Sequence, residues 1–362
     1  MKIQAALARS KDAPFSIESL HLAPIRAGEI LVKLTGTGIC HTDLAIVHQH
    51  FPLPLPYVLG HEGAGVVAGV AADVSELEVG DHVVLSFESC GTCGTCHSGH
   101  PAYCEQYAAR NYGRARLDES PFFVDESGTP IAGRFLGQSS FATHVIATAR
   151  NTVKVRADIP LHMLCGMGCG FMTGASAVMK LEPLRQTDTF AVFGAGALGF
   201  AAMFAARIRG YERIVMVDKV GSRLQLAREL GATETIDTSY EDLDGRLAAS
   251  GGLDCCIDTT GYAPVVSAAV RALKRRGTLV LLGGGPNRLA EIDIMSLIPG
   301  KQVRGEIFGD ADPHRLIPHL IQQYLDGRFP VDRLIRTYPF RSINEAVADA
   351  ASGATIKPVL LF

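Results

Sequence analysis

Four cysteines lie close together in this chain, in a C-x2-C-x2-C-x7-C run. They are Cys90, Cys93, Cys96 and Cys104. Four thiolates at this spacing can complete a tetrahedral shell around one Zn²⁺, with Zn–S distances of about 2.3 Å. The alternatives are two disulfides in a secreted protein and a zinc ribbon that binds nucleic acid. A four-cysteine shell leaves no open position on the metal, so the run predicts a structural zinc, and the chemistry must lie elsewhere.

A second set of metal-binding residue types is spread over three motifs. Cys40 lies in GICHTD, His61 and Glu62 lie in GHEGAG, and Cys169 lies in GCGFMTG. Two sulfurs and one imidazole nitrogen form a ligand class of catalytic zinc with an open fourth position. Sequence spacing does not join residues so far apart, and a single buried cysteine or histidine usually belongs to the core. Both readings therefore stay open on the residues alone.

A third motif, GAGALG, predicts a site for a dinucleotide. Gly194 would allow the tight turn, Gly196 would let the backbone approach a pyrophosphate, and Gly199 would let helix and strand pack closely. Asp218 ends the next predicted strand, where a carboxylate accepts hydrogen bonds from ribose hydroxyls and repels a 2′-phosphate. We therefore expect NAD, with Arg223 close to the same end of the cofactor. The alternative is that Asp218 only caps the following helix.

The elements that must hold these residues fall into two kinds. The first part of the chain has short β-branched segments such as Ile30–Leu34 and Gly65–Val70, separated by turn residues. After about Phe171, apolar strands such as Thr189–Phe193 and Arg213–Asp218 alternate with helical patterns. This alternation predicts an α/β domain with a parallel sheet covered on both faces.

Composition narrows the class of protein. The 362 residues fit two domains, and 47% hydrophobic with 20% charged residues is typical of a globular enzyme. A formal net charge of −3 gives no reason to expect nucleic acid or an anionic membrane as partner. The uncharged run from Thr189 to Ala206 contains three glycines, so a buried strand and helix explain it better than a membrane span. With nine cysteines and no signal-peptide pattern, we expect a cytoplasmic protein whose thiols bind metal.

Taken together, GHEGAG, the four-cysteine run, GCGFMTG and GAGALG resemble the zinc-dependent medium-chain alcohol dehydrogenases over nearly the whole chain. The resemblance implies that Cys40, His61 and Cys169 bind catalytic zinc, that Glu62 is an acid beside it, and that the four-cysteine run binds structural zinc. The stretch 137–144, GQSSFATH, looks most like the aryl-alcohol branch, whose members oxidise benzyl-type and some terpenoid alcohols.

The same resemblance assigns the remaining candidate residues. Thr42 would take the proton of the alcohol, and Asp43 would orient the zinc-bound histidine. Residues matching His41 and Lys357 contact the cofactor pyrophosphate, and one matching Thr173 lies near the nicotinamide ring. A solvated surface lysine is the alternative for Lys357. Some relatives end the proton relay in a histidine where this chain has Ala45, so we expect the proton to leave through the ribose to water. The nearby His48 and His50 are expected to be solvated loop residues.

The implied fold is a Rossmann-like NAD-binding domain at 171–308 and a mainly β, GroES-like catalytic domain at 1–170 and 309–362. The implied reaction is oxidation of a primary aryl, allylic or terpenoid alcohol, with NAD and two zinc ions per subunit of a homodimer or homotetramer. Phe51, Phe87 and Phe171 are candidates for an apolar wall around the substrate. The alternatives are a dehydrogenase of aliphatic alcohols or polyols, a zinc-free quinone reductase, and a non-enzymatic zinc- and nucleotide-binding protein.

Overall fold

A computed structural model of the chain describes residues 1–182, 185, 187–285 and 289–362. The chain divides into two compact units. The first consists of Met1–Cys169, Asp312–Ile321 and Val331–Phe362, and the second consists of Gly170–Ala311 and Gln322–Pro330. The domain boundaries predicted at 170 and 309 differ from this division chiefly at residues 322–330, which group with the second unit.

The first unit is built mainly from short strands. In chain order the strands are β1 (Lys2–Ala8), β2 (Ser16–Leu22), β3 (Glu29–Gly38), β4 (Tyr57–Val58), β5 (Gly63–Val70), β6 (His82–Leu85), β7 (Phe123–Val124), β8 (Pro130–Ile131), β9 (His144–Thr148) and β10 (Thr152–Lys154). The helices among them are α1 (His41–Val47), α2 (Gly94–His97) and α3 (Tyr107–Asn111).

The second unit alternates helices and strands, as the sequence predicts. Its helices are α4 (Gly170–Met179), α5 (Ala197–Ile208), α6 (Gly221–Glu229), α7 (Leu243–Ala249), α8 (Ala263–Ala272) and α9 (Ile294–Leu297). Its strands are β11 (Thr189–Phe193), β12 (Arg213–Asp218), β13 (Glu234–Asp237), β14 (Leu253–Asp258), β15 (Leu273–Leu281) and β16 (Gln302–Gly305).

The last part of the chain returns to the first unit. It contains α10 (Pro313–Leu325), which spans the division between the units, then β17 (Ile335–Pro339), α11 (Ile343–Ser352) and β18 (Lys357–Leu361). One-turn 3₁₀ segments lie at Pro101–Tyr103, Phe135–Gly137, Ala149–Asn151, Leu161–Met163, Cys165–Gly168, Phe308–Asp310, Val331–Leu334 and Phe340–Ser342.

Two sheets form the first unit, and β3 is central to one of them. A five-stranded sheet has the order β4-β1-β2-β7-β8, and a seven-stranded sheet has the order β10-β6-β5-β3-β18-β17 with β9 also paired to β3. Apolar side chains from both sheets form one core cluster that includes Ile3, Leu20, Val32 and Val145. The start of α1 follows the end of β3 directly, so the sheet fixes the position of Cys40 and of α1.

The sheet of the second unit is parallel, with the strand order β13-β12-β11-β14-β15-β16. This is the doubly wound order 3-2-1-4-5-6 that brings loops for a dinucleotide to the carboxyl ends of the strands. Every residue of β11 is buried, as expected for a strand covered on both faces. The uncharged run from Thr189 forms β11 and most of α5. Among the described residues, no helix is long and apolar enough to cross a membrane.

Candidate active site and metal centres

Three chain segments of the first unit bring the dispersed ligand candidates together. Cys40 is the residue before α1, His61 lies between β4 and β5, and Cys169 follows the 3₁₀ segment Cys165–Gly168. The ligand atoms of these three residues and of Glu62 all lie within 4.8 Å of one another. Cys40 is half-buried and the others are buried. The structure thus places in one cluster the residues that the sequence could not join.

The His61 ring is held by Asp43, which is fully buried at the first turn of α1. Nδ1 of His61 lies 3.0 Å from Asp43 Oδ1, which also accepts the backbone N–H of Gly60, and Asp43 Oδ2 accepts the backbone N–H of Cys40. One carboxylate therefore fixes both the imidazole and the backbone that carries the first thiol. Nε2 of His61 is buried and has no hydrogen-bond partner in the described part of the chain. A metal ion bound at Nε2 would satisfy that atom.

The protonation of the cluster also fits a divalent cation. A hydrogen bond from the Cys169 thiol, together with His61, lowers the pKa of Cys40 well below its usual range. The same hydrogen bond and burial raise the pKa of Cys169. Burial opposes a charge on His61, but Asp43 and Cys40 together outweigh it and raise the pKa of His61. The Cys169 thiol and the His61 imidazolium therefore hold protons that a dication would displace on binding two thiolates and a neutral imidazole.

Glu62 forms a buried ion pair with Lys357, the first residue of β18. Lys357 Nζ lies 2.9 and 2.7 Å from the two carboxylate oxygens and also donates to the Ile39 carbonyl at 3.2 Å. Burial raises the pKa of Glu62, and the charge of Lys357 partly offsets this. Lys357 is only 2% exposed, so the alternative of a solvated surface lysine is wrong. Its role at the cofactor pyrophosphate stays a prediction.

The four-cysteine run also closes into a cluster, with its four sulfurs within 4.8 Å of one another. Cys90 and Cys96 Sγ are 3.9 Å apart, close to the edge of about 3.8 Å expected for a tetrahedron with Zn–S distances of about 2.3 Å. All nine cysteines of the chain are free, so the alternative of two disulfides is wrong. The sulfur atoms therefore have the number and spacing that a structural zinc requires.

Backbone amides prepare this cluster for a cation. The N–H groups of Thr92 and Cys93 donate to Cys90 Sγ at 3.4 and 3.3 Å, and that of Cys90 donates to Cys104 Sγ at 3.2 Å. The hydrogen bond from the Thr92 N–H makes the largest contribution to lowering the pKa of Cys90 to about 5. Burial, in contrast, raises the pKa of Cys96 to about 12. The loop therefore already stabilises one thiolate through its own backbone.

The first turn of α1 carries the residues predicted for proton transfer and pyrophosphate binding. Thr42 is half-buried, with Oγ1 3.6 Å from Cys40 Sγ, and His41 is exposed at the start of the helix. Ala45 is half-buried on the same helix. His48 is exposed, and its Nδ1 lies 2.6 Å from Asp12 Oδ1 in a side-chain hydrogen bond.

In the second unit, the glycine-rich turn follows β11 and opens α5. Gly194 has φ +99°, and a Cβ there would lie 2.3 Å from Thr259 Oγ1. A Cβ on Gly199 would lie 1.8 Å from the Gly194 carbonyl oxygen, so helix and turn pack too closely for any side chain. A Cβ on Gly196 would meet nothing within 4 Å. The space beside Gly196, at the start of α5, therefore fits the approach of a phosphate group.

Asp218 ends β12 and is surrounded by amides. Its Oδ2 accepts the N–H of Ala195, within the glycine-rich turn, at 2.6 Å, and Oδ1 accepts those of Lys219 and Val220. These amides all lie outside α6 (Gly221–Glu229), so Asp218 holds the turn that leads into the helix and does not cap the helix itself. Each carboxylate oxygen has two lone pairs, so acceptor capacity remains for a ribose hydroxyl. Arg223 is half-buried in α6, and Thr173 is buried in α4.

The three phenylalanines proposed to line the substrate site differ in exposure, and Phe51 is 40% exposed. Phe171 is fully buried in α4 of the second unit, and Phe87 is 2% exposed. The ring that stands against His61 is Phe135, with centroids 5.3 Å apart and planes at 83°. Phe135 lies two residues before the start of GQSSFATH, in the stretch RFLGQ, and this proximity is the only sequence signal for it.

Gln138, inside the same motif, is a further residue that sequence reasoning left without a role. Its Nε2 donates to the carbonyls of His61 and Ser86 at 2.9 and 3.2 Å, and its Oε1 accepts the N–H of Gly63 at 3.0 Å. The buried amide thus holds the backbone on both sides of Glu62.

Comparison with known proteins agrees with this geometry. The alcohol dehydrogenase GroES-like domain matches residues 26–157, and the zinc-binding dehydrogenase family matches residues 197–324. Geraniol dehydrogenase from Castellaniella defragrans is 40% identical to this chain, over 99% of this chain and 97% of the relative. The chain belongs to the zinc-dependent medium-chain alcohol dehydrogenases.

Two solved structures extend this result to the fold of the enzyme. An alcohol dehydrogenase zinc-binding domain protein from Burkholderia ambifaria is 45% identical with a TM-score of 0.96, covering 100% of this chain and 99% of that one. Benzyl alcohol dehydrogenase from Acinetobacter calcoaceticus is 38% identical with a TM-score of 0.95, at the same coverage. A GroES-like domain and a Rossmann-like domain with a parallel sheet, as predicted, are therefore confirmed.

Proposed function

We propose that this enzyme oxidises a primary alcohol carrying an aromatic ring or a double bond beside the carbinol carbon, with NAD as the hydride acceptor. The balanced reaction converts R–CH2OH and NAD⁺ into R–CHO, NADH and a proton. The observation that carries the proposal is the buried cluster of two thiols and one imidazole, whose Nε2 has no partner within the described chain. Similarity to a geraniol dehydrogenase and to a benzyl alcohol dehydrogenase supports this substrate class.

We assign the metal ligands as follows. Cys40, His61 and Cys169 would hold a catalytic zinc, with Asp43 fixing the imidazole, and the cluster of Cys90, Cys93, Cys96 and Cys104 would hold a structural zinc. When bound, the catalytic zinc supplies a Lewis acid to the alcohol oxygen and NAD supplies the hydride acceptor. Glu62, paired with Lys357, keeps a carboxylate beside the ligand atoms while its charge is compensated.

Thr42 is the residue of this chain placed to move the substrate proton. Its hydroxyl lies 3.6 Å from Cys40 Sγ, so a hydroxyl group bound beside that sulfur comes within reach of Thr42 Oγ1. A threonine hydroxyl can accept one proton while donating its own. Ala45 offers no titratable group further along α1, so the proton taken up by Thr42 would leave through the ribose of a bound NAD to water.

The second unit would bind NAD at its glycine-rich turn. The open space at Gly196 would admit the pyrophosphate at the start of α5. Asp218 would accept hydrogen bonds from the ribose hydroxyls and repel a 2′-phosphate. His41, Arg223 and Thr173 keep their proposed cofactor contacts, as does Lys357, whose ammonium must then share its donors between Glu62 and a phosphate.

The proposal is tested by initial rates with NAD⁺ or NADP⁺ and a matched panel of benzyl alcohol, cinnamyl alcohol, geraniol, ethanol and sorbitol. We expect the first three to exceed the last two by about tenfold in kcat/KM, and NAD⁺ to be preferred. A preference for ethanol or sorbitol would discard the substrate class and retain the dehydrogenase. Zinc and NAD binding without turnover of any alcohol would instead support a binding protein.

We also propose that the enzyme forms a homodimer or homotetramer. Strand β16 is the outer strand of the second unit's sheet, and the preceding α9 exposes large apolar side chains. These are Ile294, Met295 and Ile298, each at least 70% exposed. Contiguous exposed apolar residues of this kind usually mark an interface. Light scattering behind gel filtration should give two or four chains per particle, and a single chain would contradict the proposal.

A further inference from the structure

We propose that Phe51, Tyr107, Tyr112 and Phe135 form one surface, here called the aromatic wall, that selects alcohols with a flat π-system, and that Tyr112 is its central specificity residue. The inference rests on the proposed function and names the residues of the first unit that give that function its substrate class. Sequence reasoning singled out Phe51 alone among them.

The rings of the aromatic wall form a continuous chain of contacts. Phe135 stands edge-on to the His61 imidazole, and its ring centroid is 6.3 Å from that of Tyr112. Tyr112 in turn lies 4.9 Å from Phe51 and 5.8 Å from Tyr107, the latter at 73° between planes. His61 is buried, whereas Phe51 is 40% exposed. The chain of ring contacts therefore runs from a residue of the ligand cluster to a ring that reaches solvent.

The two tyrosine hydroxyls of the wall form a hydrogen bond with each other, and burial raises the pKa of both tyrosines. Because these polar ends are paired, the wall offers mainly ring surface to a substrate.

The wall is rigid because the segments that carry it are tied down. Asn111, fully buried at the end of α3, accepts the N–H of Glu88 and donates to the carbonyls of Glu88 and Tyr107. The Glu88 carboxylate binds Arg110 of α3 and Arg134, each at 2.8 Å.

Residues on either side of this anchor hold the remaining rings. Arg134 precedes Phe135, so the Glu88 pair fixes both α3 and the segment that bears the ring against His61. The Tyr57 hydroxyl donates to the carbonyl of Gly113, next to Tyr112. Because this surface is already ordered, a substrate spends no binding free energy on ordering it. Contacts between the substrate and the rings can therefore contribute fully to selection.

The chemistry of the wall favours π-bearing substrates over saturated ones of equal size. Aromatic rings prefer edge-on or offset contacts with other π-systems, because the ring face is negative and the ring edge positive. Cyclohexylmethanol fills nearly the same volume as benzyl alcohol but lacks this charge distribution. The intrinsic reactivity of each alcohol is the same in every variant, so a change between variants in the ratio of kcat/KM for benzyl alcohol to that for cyclohexylmethanol reports on the wall.

The test is this ratio in the zinc-loaded, full-length enzyme and in three variants. Tyr112→Leu keeps an apolar side chain and removes the ring, and we expect the ratio to fall about tenfold. Tyr112→Phe keeps the ring and should hold the ratio within about twofold. Tyr240→Leu, at a tyrosine 78% exposed in the second unit, is the matched control and should leave the ratio unchanged. Zinc content and thermal midpoint are measured for each variant.

The outcomes separate this inference from the proposed function. An active Tyr112→Leu enzyme with an unchanged ratio overturns the role of the wall and leaves the dehydrogenase intact. Failure of the unaltered enzyme to oxidise any alcohol overturns the proposed function, and calorimetric binding of the same two alcohols to enzyme and Tyr112→Leu then tests the wall. Should Tyr112→Leu not fold, Phe51→Leu at the exposed end is expected to lower the ratio about threefold, and no change there counts against the wall.

Discussion

The buried pair of Glu62 and Lys357 makes the strongest prediction about stability. In Lys357→Met the side chain keeps most of its length but loses the charge that compensates Glu62. Removing one partner of a buried pair costs about 3–5 kcal/mol, because the other charge remains buried without compensation. Burial already raises the pKa of Glu62, so the carboxyl can take up a proton in the variant. We therefore expect Lys357→Met to lower the free energy of unfolding by about 3 kcal/mol, the lower end of this range.

This loss converts into a measurable change of melting temperature. For a folded unit of about 200 residues, each kcal/mol shifts the midpoint by about 2–4 °C, so Lys357→Met should melt about 6–12 °C lower. Differential scanning calorimetry of the full-length chain, with zinc content determined in parallel, gives the value. Lys2→Met is the matched control, since Lys2 and its partner Glu126 are 60% and 64% exposed, and it should leave the midpoint unchanged.

A double variant separates charge from packing. Glu62→Gln combined with Lys357→Met removes both charges, so no buried charge remains uncompensated and most of the lost stability should return. The reasoning would be refuted if Lys357→Met melted within about 2 °C of the unaltered protein. It would also be refuted if the double variant melted as low as Lys357→Met, because packing would then account for the loss.

Three further predictions concern the glycine-rich turn and the four-cysteine cluster. Gly196→Ala should fold normally and weaken NADH binding measured by titration. Gly199→Ala must push a methyl group into a backbone carbonyl and should lower the free energy of unfolding by about 1–3 kcal/mol or more. Equal behaviour of the two variants would contradict the assigned roles. Cys104→Ser should lower the zinc content from two ions to one per chain, and retention of both would exclude the four-sulfur site. After the metal is removed, iodoacetamide should modify Cys90 before Cys96 at neutral pH. The pKa of Cys90 is lowered to about 5, so its thiolate should lose reactivity only as the pH falls towards that value. Peptide mapping that found Cys96 modified before Cys90 would contradict the predicted order.

The sequence predicted the second unit better than the first, for a physical reason. The strands Thr189–Phe193 and Arg213–Asp218 were predicted with the bounds that the structure has, because central parallel strands are buried on both faces and read as unbroken apolar runs. Helix α8 ends at Ala272, and strand β15 begins at the very next residue, Leu273. The exposed side chains of Arg275 and Arg276 hide that start from an apolar pattern.

In the first unit, motifs and the family resemblance identified the ligand candidates and Asp43, but not how the other supporting residues meet. Lys357 and Glu62 are 295 positions apart, so no spacing rule connects them. They meet because β3 pairs both with β18, which begins at Lys357, and with β5, which follows Glu62. Tyr107 is the first residue of the five-residue helix α3 and Tyr112 follows its last residue, and neither belongs to a motif. Contacts between distant segments decide these cases, and local sequence carries no signal of them.

The four-cysteine loop continues directly into the helix that carries the aromatic wall. The N–H of Tyr107 donates to the Cys104 carbonyl at 2.8 Å, and that of Gln106 donates to the Cys104 sulfur at 3.4 Å. A zinc ion held by the four cysteines would take no part in the reaction, yet it would anchor the first tyrosine of the wall. Scarcity of zinc would then act on this enzyme in two distinct ways. Loss from the site of Cys40, His61 and Cys169 would stop turnover, whereas loss from the four-cysteine site would leave an enzyme that still turns over but accepts a broader range of alcohols.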